Sequence, residues 1–446
     1  MSNQCSMIFF MAIHKGKVLI KPIFLALPKS LFGVRPRDIL GQSRRNMSLD
    51  LSKLVGQIID LAASLKSKEG ERKAKLEFAL KTVKSSAADM NGLKQKVEAS
   101  KSTWLVAGPK ESIDLGQTAP GCPDDFIVLA SDGSHIDVDR HQSAHCFLIN
   151  IGIAQLQYGR GPDAQLLNFP SLYFKDGEVA ITSDDGRQLP IEGQLLGIKR
   201  SIEECRWLTE RVNELSADLP LVALLDGSLI LWRLAEQVYP DFVIRELLID
   251  GFLKYLTRLR EISRRRPLVV ASYISFPRST EVVNLLRLAI CPHLPVDCDR
   301  YCSGKFEGRE CDVVGGLLDR DLFARLLTPG QRSALFSSRS SVVVKYYGAN
   351  EVNLFYIRLD GEVARVEVPL WVAENEKLVG LVHSTIWDQC RRGLGYPVAL
   401  SEAHEQAVVN VADREQFWRL VNQILVEDGI FLESSAKSES KRARWI

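Results

Sequence analysis

The stretch Phe126-Ile-Val-Leu-Ala-Ser-Asp-Gly-Ser134 decides how this chain reads. The apolar run Phe126 to Ala130 stops at Ser131-Asp132-Gly133-Ser134, the pattern of a buried strand ending in a turn. The pattern returns in Leu219-Pro-Leu-Val-Ala-Leu-Leu225, which stops at Asp226-Gly227-Ser228. A carboxylate just past a buried strand is held by a rigid element and still reaches solvent. Two such strands side by side bring both acids to one sheet edge, where grouped oxygen donors suit Mg²⁺ or Mn²⁺. Two such cations about 4 Å apart activate water and stabilise the leaving oxygen in phosphodiester cleavage. Asp-Gly is also ordinary turn chemistry, so the weight lies in its repetition after similar strands.

Around these two runs the texture is that of an α/β protein. Strand-like pieces follow the first acid at His145 to Ile151, Ile153 to Tyr158, Ser171 to Phe174 and Val179 to Thr182. Helical spacing takes over from Ile191 to Leu215, and a further strand is expected over Leu268 to Ile274. In the carboxyl half Ser341 to Tyr347, Val352 to Leu359 and Val363 to Val368 read as strands. Helices are expected over Glu376 to Cys390, Ala399 to Val409 and Asp413 to Val426. Ahead of all this, Leu51, Leu54, Ile58, Leu61 and Leu65 repeat at helical spacing, as do Leu76, Leu80, Val83, Ala87 and Met90. They predict a projecting helical arm.

Composition narrows the class. A chain of 446 residues with 46% hydrophobic and 25% charged residues is ordinary for a soluble globular protein. The net charge of +2 excludes a uniformly basic coat, so any nucleic-acid surface is local. No apolar run is long enough to cross a bilayer. Nine cysteines, five of them scattered, do not make a secreted disulfide framework, and a reducing cytoplasm fits better. Residues 1–46 carry Lys15, Lys17, Lys21, Lys29, Arg35, Arg37, Arg44 and Arg45 against the single acid Asp38. That segment reads as an organelle transit peptide or as an extension upstream of a start at Met47.

Further chemistry-bearing groups lie between and beyond the two acids. The helix Lys199 to Glu210 offers Glu203, Glu204 and Glu210 as a third carboxylate. An acid on a helix between two acid-tipped strands resembles the ribonuclease-H-like arrangement. Near the carboxyl end, Tyr396-Pro-Val-Ala-Leu-Ser-Glu-Ala-His404 places an imidazole on a helix begun by Pro397. Imidazole ligates Mn²⁺ or positions water, and a tyrosine hydroxyl binds phosphate; each residue is equally at home in packing. Cys291, Cys298, Cys302 and Cys311 fall in a Pro- and Gly-marked loop and admit a structural zinc or iron–sulfur site, or plain thiols. Arg266, Arg278 and Arg392 are candidate phosphate contacts for DNA.

Taken together, Ser131-Asp-Gly-Ser-His-Ile-Asp-Val-Asp-Arg140, Leu224-Leu-Asp-Gly-Ser-Leu229, Ser272-Tyr-Ile-Ser-Phe-Pro-Arg-Ser-Thr-Glu-Val-Val283 and Tyr396 to His404 resemble the NurA nuclease domain, in family order. The resemblance implies a ribonuclease-H-like mixed sheet with flanking helices. It implies a Mn²⁺-dependent 5′-to-3′ DNA exonuclease and single-strand endonuclease. It also implies a homodimer partnered with a HerA-type hexameric ATPase in double-strand-break end resection. Position by position, Asp132, Asp226 and His404 match metal-site residues and Tyr396 matches the active-site tyrosine. Glu204, four residues after Arg200, matches the helical acid, with Glu203 a near competitor. The expected organisation is a basic extension over 1–46, a helical arm over 47–105, the nuclease domain over 106–430 and a basic tail over 431–446. The alternative reading is a non-catalytic adaptor that guides DNA for a HerA-type translocase.

Overall fold

The computed structural model describes residues 10–14, 17–21, 50–139, 144–215, 219–305 and 308–430, so the tail expected over 431–446 lies outside the described residues. The chain divides into two compact units, Met1–Ala74 and Lys75–Ile446. The first holds an antiparallel strand pair, Phe10–His14 with Lys17–Lys21, and the opening part of helix α1 (Val55–Ala87). Ile58, Leu61 and Leu65 are exposed along it, as is Leu51 in the short turn before it. The later part of α1 belongs to the second unit, where Ala79 and Val83 are buried. Helix α2 (Met90–Glu98) adds Leu93 and Val97, and all four share one buried cluster with Val282, Leu285 and Leu286.

One large mixed sheet organises the second unit. Strands β1 (Phe126–Ile136), β2 (Phe147–Tyr158) and β3 (Asp163–Tyr173) form an antiparallel meander. Strand β4 (Leu221–Asp226) lies parallel to β1, and β5 (Leu268–Ile274) parallel to β4. Strands β6 (Val352–Arg358) and β7 (Val363–Pro369) form a hairpin whose second strand runs antiparallel to β5. The spatial order is β3-β2-β1-β4-β5-β7-β6.

Strand alternation divides the core into two layers. Leu221, Ala223 and Leu225 of β4 face one side, with Ile202, Cys205 and Leu208 of helix α3 (Gln194–Glu214) and Leu256 and Leu259 of helix α4 (Lys254–Ser263). Val222 and Leu224 face the other, with Val382 and Ile386 of helix α6 (Glu376–Arg392) and Leu400 and Ala403 of helix α7 (Val398–Ala407). Helix α5 (Glu281–Ile290) follows β5, and α8 (Val411–Glu427) is the last described helix. Being covered on both faces is why β4 reads as an unbroken apolar run instead of an alternating one.

Three expectations are corrected. The first Asp-Gly-Ser is no turn: β1 continues through it to Ile136, with Asp132 paired to Gly152. The two pieces on either side of Gly152 are one strand, β2. The Val-rich run around Val343–Tyr347 is a short helical segment. Val343 and Tyr347, four residues apart, are both buried while Val344 is exposed, so core packing overrides β-branched propensity there.

Candidate active site

The site is built first by register. Leu225 of β4 pairs with Ser131 of β1, which sets Asp226 beside Asp132 on adjacent parallel strands. Both side chains therefore point to the same face, one strand spacing apart, roughly 5 Å. The Asp132 carboxylate accepts from the Gly133 amide at 2.8 Å through Oδ1 and meets His404 Nδ1 at 2.7 Å through Oδ2. Asp226 sits at the strand end, where Gly227 adopts φ +86° and donates its amide back to Asp226 Oδ1 at 3.0 Å. Only this second Asp-Gly needs a left-handed residue.

The loop after Asp226 is heavily tied. Ser228 Oγ and the Leu229 amide both donate to Glu367 Oε2 at 2.8 Å, and Trp232 Nε1 donates to Ser228 Oγ at 3.1 Å. Glu367 is itself paired with buried Arg365, which also pairs with Glu281 of α5. These five-fold ties fix where Asp226 stands.

Helix α3 supplies the third acid. It crosses close over β1 because position 133 is glycine: a Cβ there would come within 2.7 Å of Glu204 Oε1 and 2.9 Å of Arg200 Cγ. Ser131 Oγ donates to the Glu204 carbonyl at 3.0 Å, locking the register between helix and strand. Glu204 lines a cavity of about 530 Å³ together with Asp132, Asp226, Arg200, Trp232 and Arg233. Glu203 turns away, to Lys199 Nζ at 3.1 Å and Arg206 Nε at 2.6 Å, and Glu210 also pairs with Arg206. Neighbouring residues on a helix point about 100° apart, so the two glutamates cannot share one direction.

Helix α7 carries His404 to Asp132 by an equally close approach. A Cβ on Gly152 would lie 2.1 Å from the Ala403 carbonyl oxygen. Asn150 Nδ2 donates to the carbonyls of Gln406 and Ala407 at 3.0 and 2.9 Å, and Ser134 Oγ also donates to Ala407. These bonds satisfy carbonyls at the helix end that have no partner within the helix. Gly152, Asn150 and Ser134 escape a sequence reading that looks for acids and imidazoles. The signal was the unbroken period of two in Phe147, Ile149, Ile151 and Ile153, which runs straight through Gly152. Helix α7 starts after Pro397, which caps it without a side-chain bond. Tyr396 lies just before, its hydroxyl against Asp226 and its ring edge-on to Tyr273 at 5.4 Å. His404 and Tyr396 reach the site through Asp132 and Asp226 instead of lining the cavity.

Electrostatics marks the same point. Burial, together with the charges of Asp132 and Asp226, pushes the Glu204 carboxyl up to about 8, against the opposing pull of Arg200. Protein around Asp226 strips most of its water although its tip is exposed, and this, with the Asp132 charge, raises its pKa. Burial and the adjacent Asp226 push the Tyr396 hydroxyl up, so it stays protonated. Arg200 Nε stands 3.0 Å from Glu204 Oε1 but is not aligned for a hydrogen bond, and that buried oxygen has no hydrogen-bond partner. Crowded carboxylates with an orphaned oxygen fit a divalent cation. Among the described residues, no three His, Cys, Asp or Glu side chains are drawn together as a ready ligand set.

The other candidates separate. Cys291, Cys298, Cys302 and Cys311 do line one small hollow, with Trp104 and Arg287. They too fall short of a ligand set among the described residues, so zinc or iron–sulfur has no support there. Arg266 Nη1 donates to the Val212 and Leu215 carbonyls at 3.0 and 2.7 Å, finishing α3. Arg392 pairs with Asp388 at 2.6 Å and covers the Tyr158 ring at 4.5 Å. Arg278 is exposed.

Paired acids on adjacent parallel strands, a third acid from helix α3 and an imidazole from helix α7 define a mixed α/β protein with three carboxylates lining one cavity. The NurA domain profile matches residues 126–409, more than half of the chain, and the protein belongs to that family of nucleases. Among solved structures it is similar to a crystal structure of NurA with manganese, at 12% identity and a TM-score of 0.35, covering 69% of this chain and 90% of that one. It is also similar to Argonaute of Aquifex aeolicus, at 9% identity and a TM-score of 0.25, covering 66% of this chain and 30% of that one. No curated protein matches the sequence. Among the described residues no helix is long and apolar enough to cross a membrane.

Proposed function

We propose that the protein is a metal-dependent deoxyribonuclease that hydrolyses phosphodiesters with Mn²⁺ or Mg²⁺ held by Asp132, Glu204 and Asp226, with His404 at the same centre. The observation that carries this reading is the placement of Asp132 and Asp226 side by side, with Glu204 lining the same cavity. The strand order β3-β2-β1-β4-β5, with only β2 reversed inside it, supports a ribonuclease-H-like core. When bound, such cations supply Lewis acidity and a water ionised near neutral pH.

The chain's own residues do the rest. The Tyr396 hydroxyl, kept protonated, donates to Asp226 and holds that carboxylate in place beside the substrate phosphate. His404 is bound to Asp132 through Nδ1, and with its side chain 59% exposed the imidazole presents Nε2 outward. That nitrogen can accept the proton released by the attacking water. Arg200 and Arg233 on the cavity wall offer positive charge to the substrate phosphate.

Within this reading the protein is a 5′-to-3′ exonuclease and single-strand endonuclease of double-strand-break end resection, working as a homodimer with a HerA-type hexameric ATPase. A net charge of +2 gives little long-range pull on DNA, which favours a partner that grips and moves the strand. The exposed apolar residues Leu51, Ile58, Leu61 and Leu65 suit its docking. A truncation to test this should begin at Lys75, because Ala79, Val83, Leu93 and Val97 are core. The deciding experiment is cleavage of single- and double-stranded DNA with Mn²⁺, with Mg²⁺ and with EDTA, for the wild type and for Asp132→Ala and Asp226→Ala. Cutting that needs metal and both aspartates is expected. No cleavage by the wild type, with DNA binding retained, would leave the adaptor reading in its place.

A further inference from the structure

Beyond the acids, strand β5 ends in a turn whose construction burial does not explain. Tyr273 of β5 pairs with Asp226, and the Gly227 amide donates to the Tyr273 carbonyl at 3.0 Å. Three residues further on, at the same carboxyl edge of the sheet, stands Phe276. The residue is 60% exposed and its φ is +47°, a left-handed backbone that a bulky residue adopts only when its surroundings hold it there. The surroundings are specific. Ser275 Oγ donates to Glu362 at 3.0 and 2.9 Å, and Tyr273 Oη donates to the same carboxylate at 3.0 Å. Arg320 donates through Nη1 to the Phe276 carbonyl at 3.0 Å and lays its guanidinium 3.6 Å from the ring centroid. A strained backbone and an aromatic ring left in water both oppose stability, so what holds them serves something other than the fold.

We propose that Phe276, backed by Arg320, is a stacking platform for an unpaired base of the DNA strand entering the acidic site. The proposal rests on the nuclease reading and gives its substrate a form, a single-stranded end with bases splayed from the stack. A planar ring with a guanidinium beside it accepts any base, because every base has a π-face. Three residues of chain span at most about 10 Å, so the ring lies within reach of a nucleotide neighbouring the Asp226 site. The platform contributes affinity without sequence preference, as a resecting enzyme requires.

The test is binding of fluorescent single-stranded oligonucleotides to the full chain in EDTA, where cleavage is silent. Phe276→Ala is expected to weaken binding roughly tenfold or more, with Phe276→Trp close to wild type and Phe276→Leu between them. An oligonucleotide lacking bases but keeping its phosphates should bind wild type and Phe276→Ala equally weakly. Phe276→Gly, which relieves the left-handed strain, should unfold no earlier than wild type. Equal affinity of Phe276→Ala and wild type for intact DNA overturns the platform, as does no binding by wild type. Phe276-dependent binding without Mn²⁺-dependent cleavage would instead remove the nuclease reading and keep the platform.

Discussion

The buried Glu367 carboxylate accepts from Ser228 Oγ and from the Leu229 amide, both at 2.8 Å, and so ties the loop after Asp226 to the middle of β7. Its second oxygen receives Arg365 Nε at 2.8 Å. Glu367→Gln removes the charge that Arg365 needs in a dry interior, which should cost about 3 kcal/mol in urea unfolding. The same change frees the Asp226 loop, so Mn²⁺ affinity should fall by more than DNA affinity does. Unchanged metal affinity in a folded variant would mean that the loop is held without Glu367.

Glu203 and Glu204 should part cleanly under substitution. Glu204→Gln is expected to abolish cleavage. The Glu204 pKa is raised from its ordinary value near 4.5 to about 8 by burial. Metal-free wild type should therefore be most stable below the lower value and lose stability as pH rises toward about 8. Glu204→Gln lacks that loss, so in EDTA at pH 8 it should melt above wild type. Metal must displace this proton, so Mn²⁺ should bind more tightly at pH 8 than at pH 6, with proton release measurable by calorimetry. Glu203→Gln should cut normally and lose about 1 kcal/mol of stability, since it only abandons Lys199 and Arg206. An active Glu204→Gln protein would move the metal site elsewhere.

Gly152→Ala tests how His404 is delivered. The new methyl would meet the Ala403 carbonyl oxygen at 2.1 Å and the Ala407 nitrogen at 2.5 Å, both backbone atoms that cannot swing aside. Helix α7 must lift, at a cost of about 1–3 kcal/mol, and the His404–Asp132 contact must lengthen. Cleavage should fall at least tenfold, on the order of what a displaced catalytic group costs. Gly177→Ala, where a methyl meets open space, is the control and should behave as wild type.

His383 sets part of the acid limit of the fold. It is 1% exposed, bonds the Gly330 carbonyl through Nε2 at 3.0 Å, and burial pushes its pKa down from 6.5 to about 4. The folded protein thus prefers the neutral ring. Its contribution is full above pH 6.5 and is lost as pH falls toward 4, by about 3 kcal/mol in all. Denaturant titrations across that range should show the slope in wild type and a flatter one in His383→Gln. The same slope in both proteins would assign the acid sensitivity to other groups.

Much of this was open to a reader of the sequence alone. The apolar runs that became β1, β4 and β5, the two aspartates, Tyr396 and His404 are local signals, because a buried strand and the acid at its end are written in consecutive residues. Direction and closeness are different. Whether Glu203 or Glu204 faces the cavity depends on which side of α3 lies over β1, a matter of packing. That the first Asp-Gly-Ser stays in a strand while the second turns depends on β2 pairing past Asp132 to Ile136. The glycines at 133 and 152 look like turn residues until two helices are seen pressing on them. Arg266 looks like a phosphate contact until it is found closing the end of α3. In each case residue chemistry was legible in the sequence, and only the tertiary structure decided which neighbour that chemistry meets.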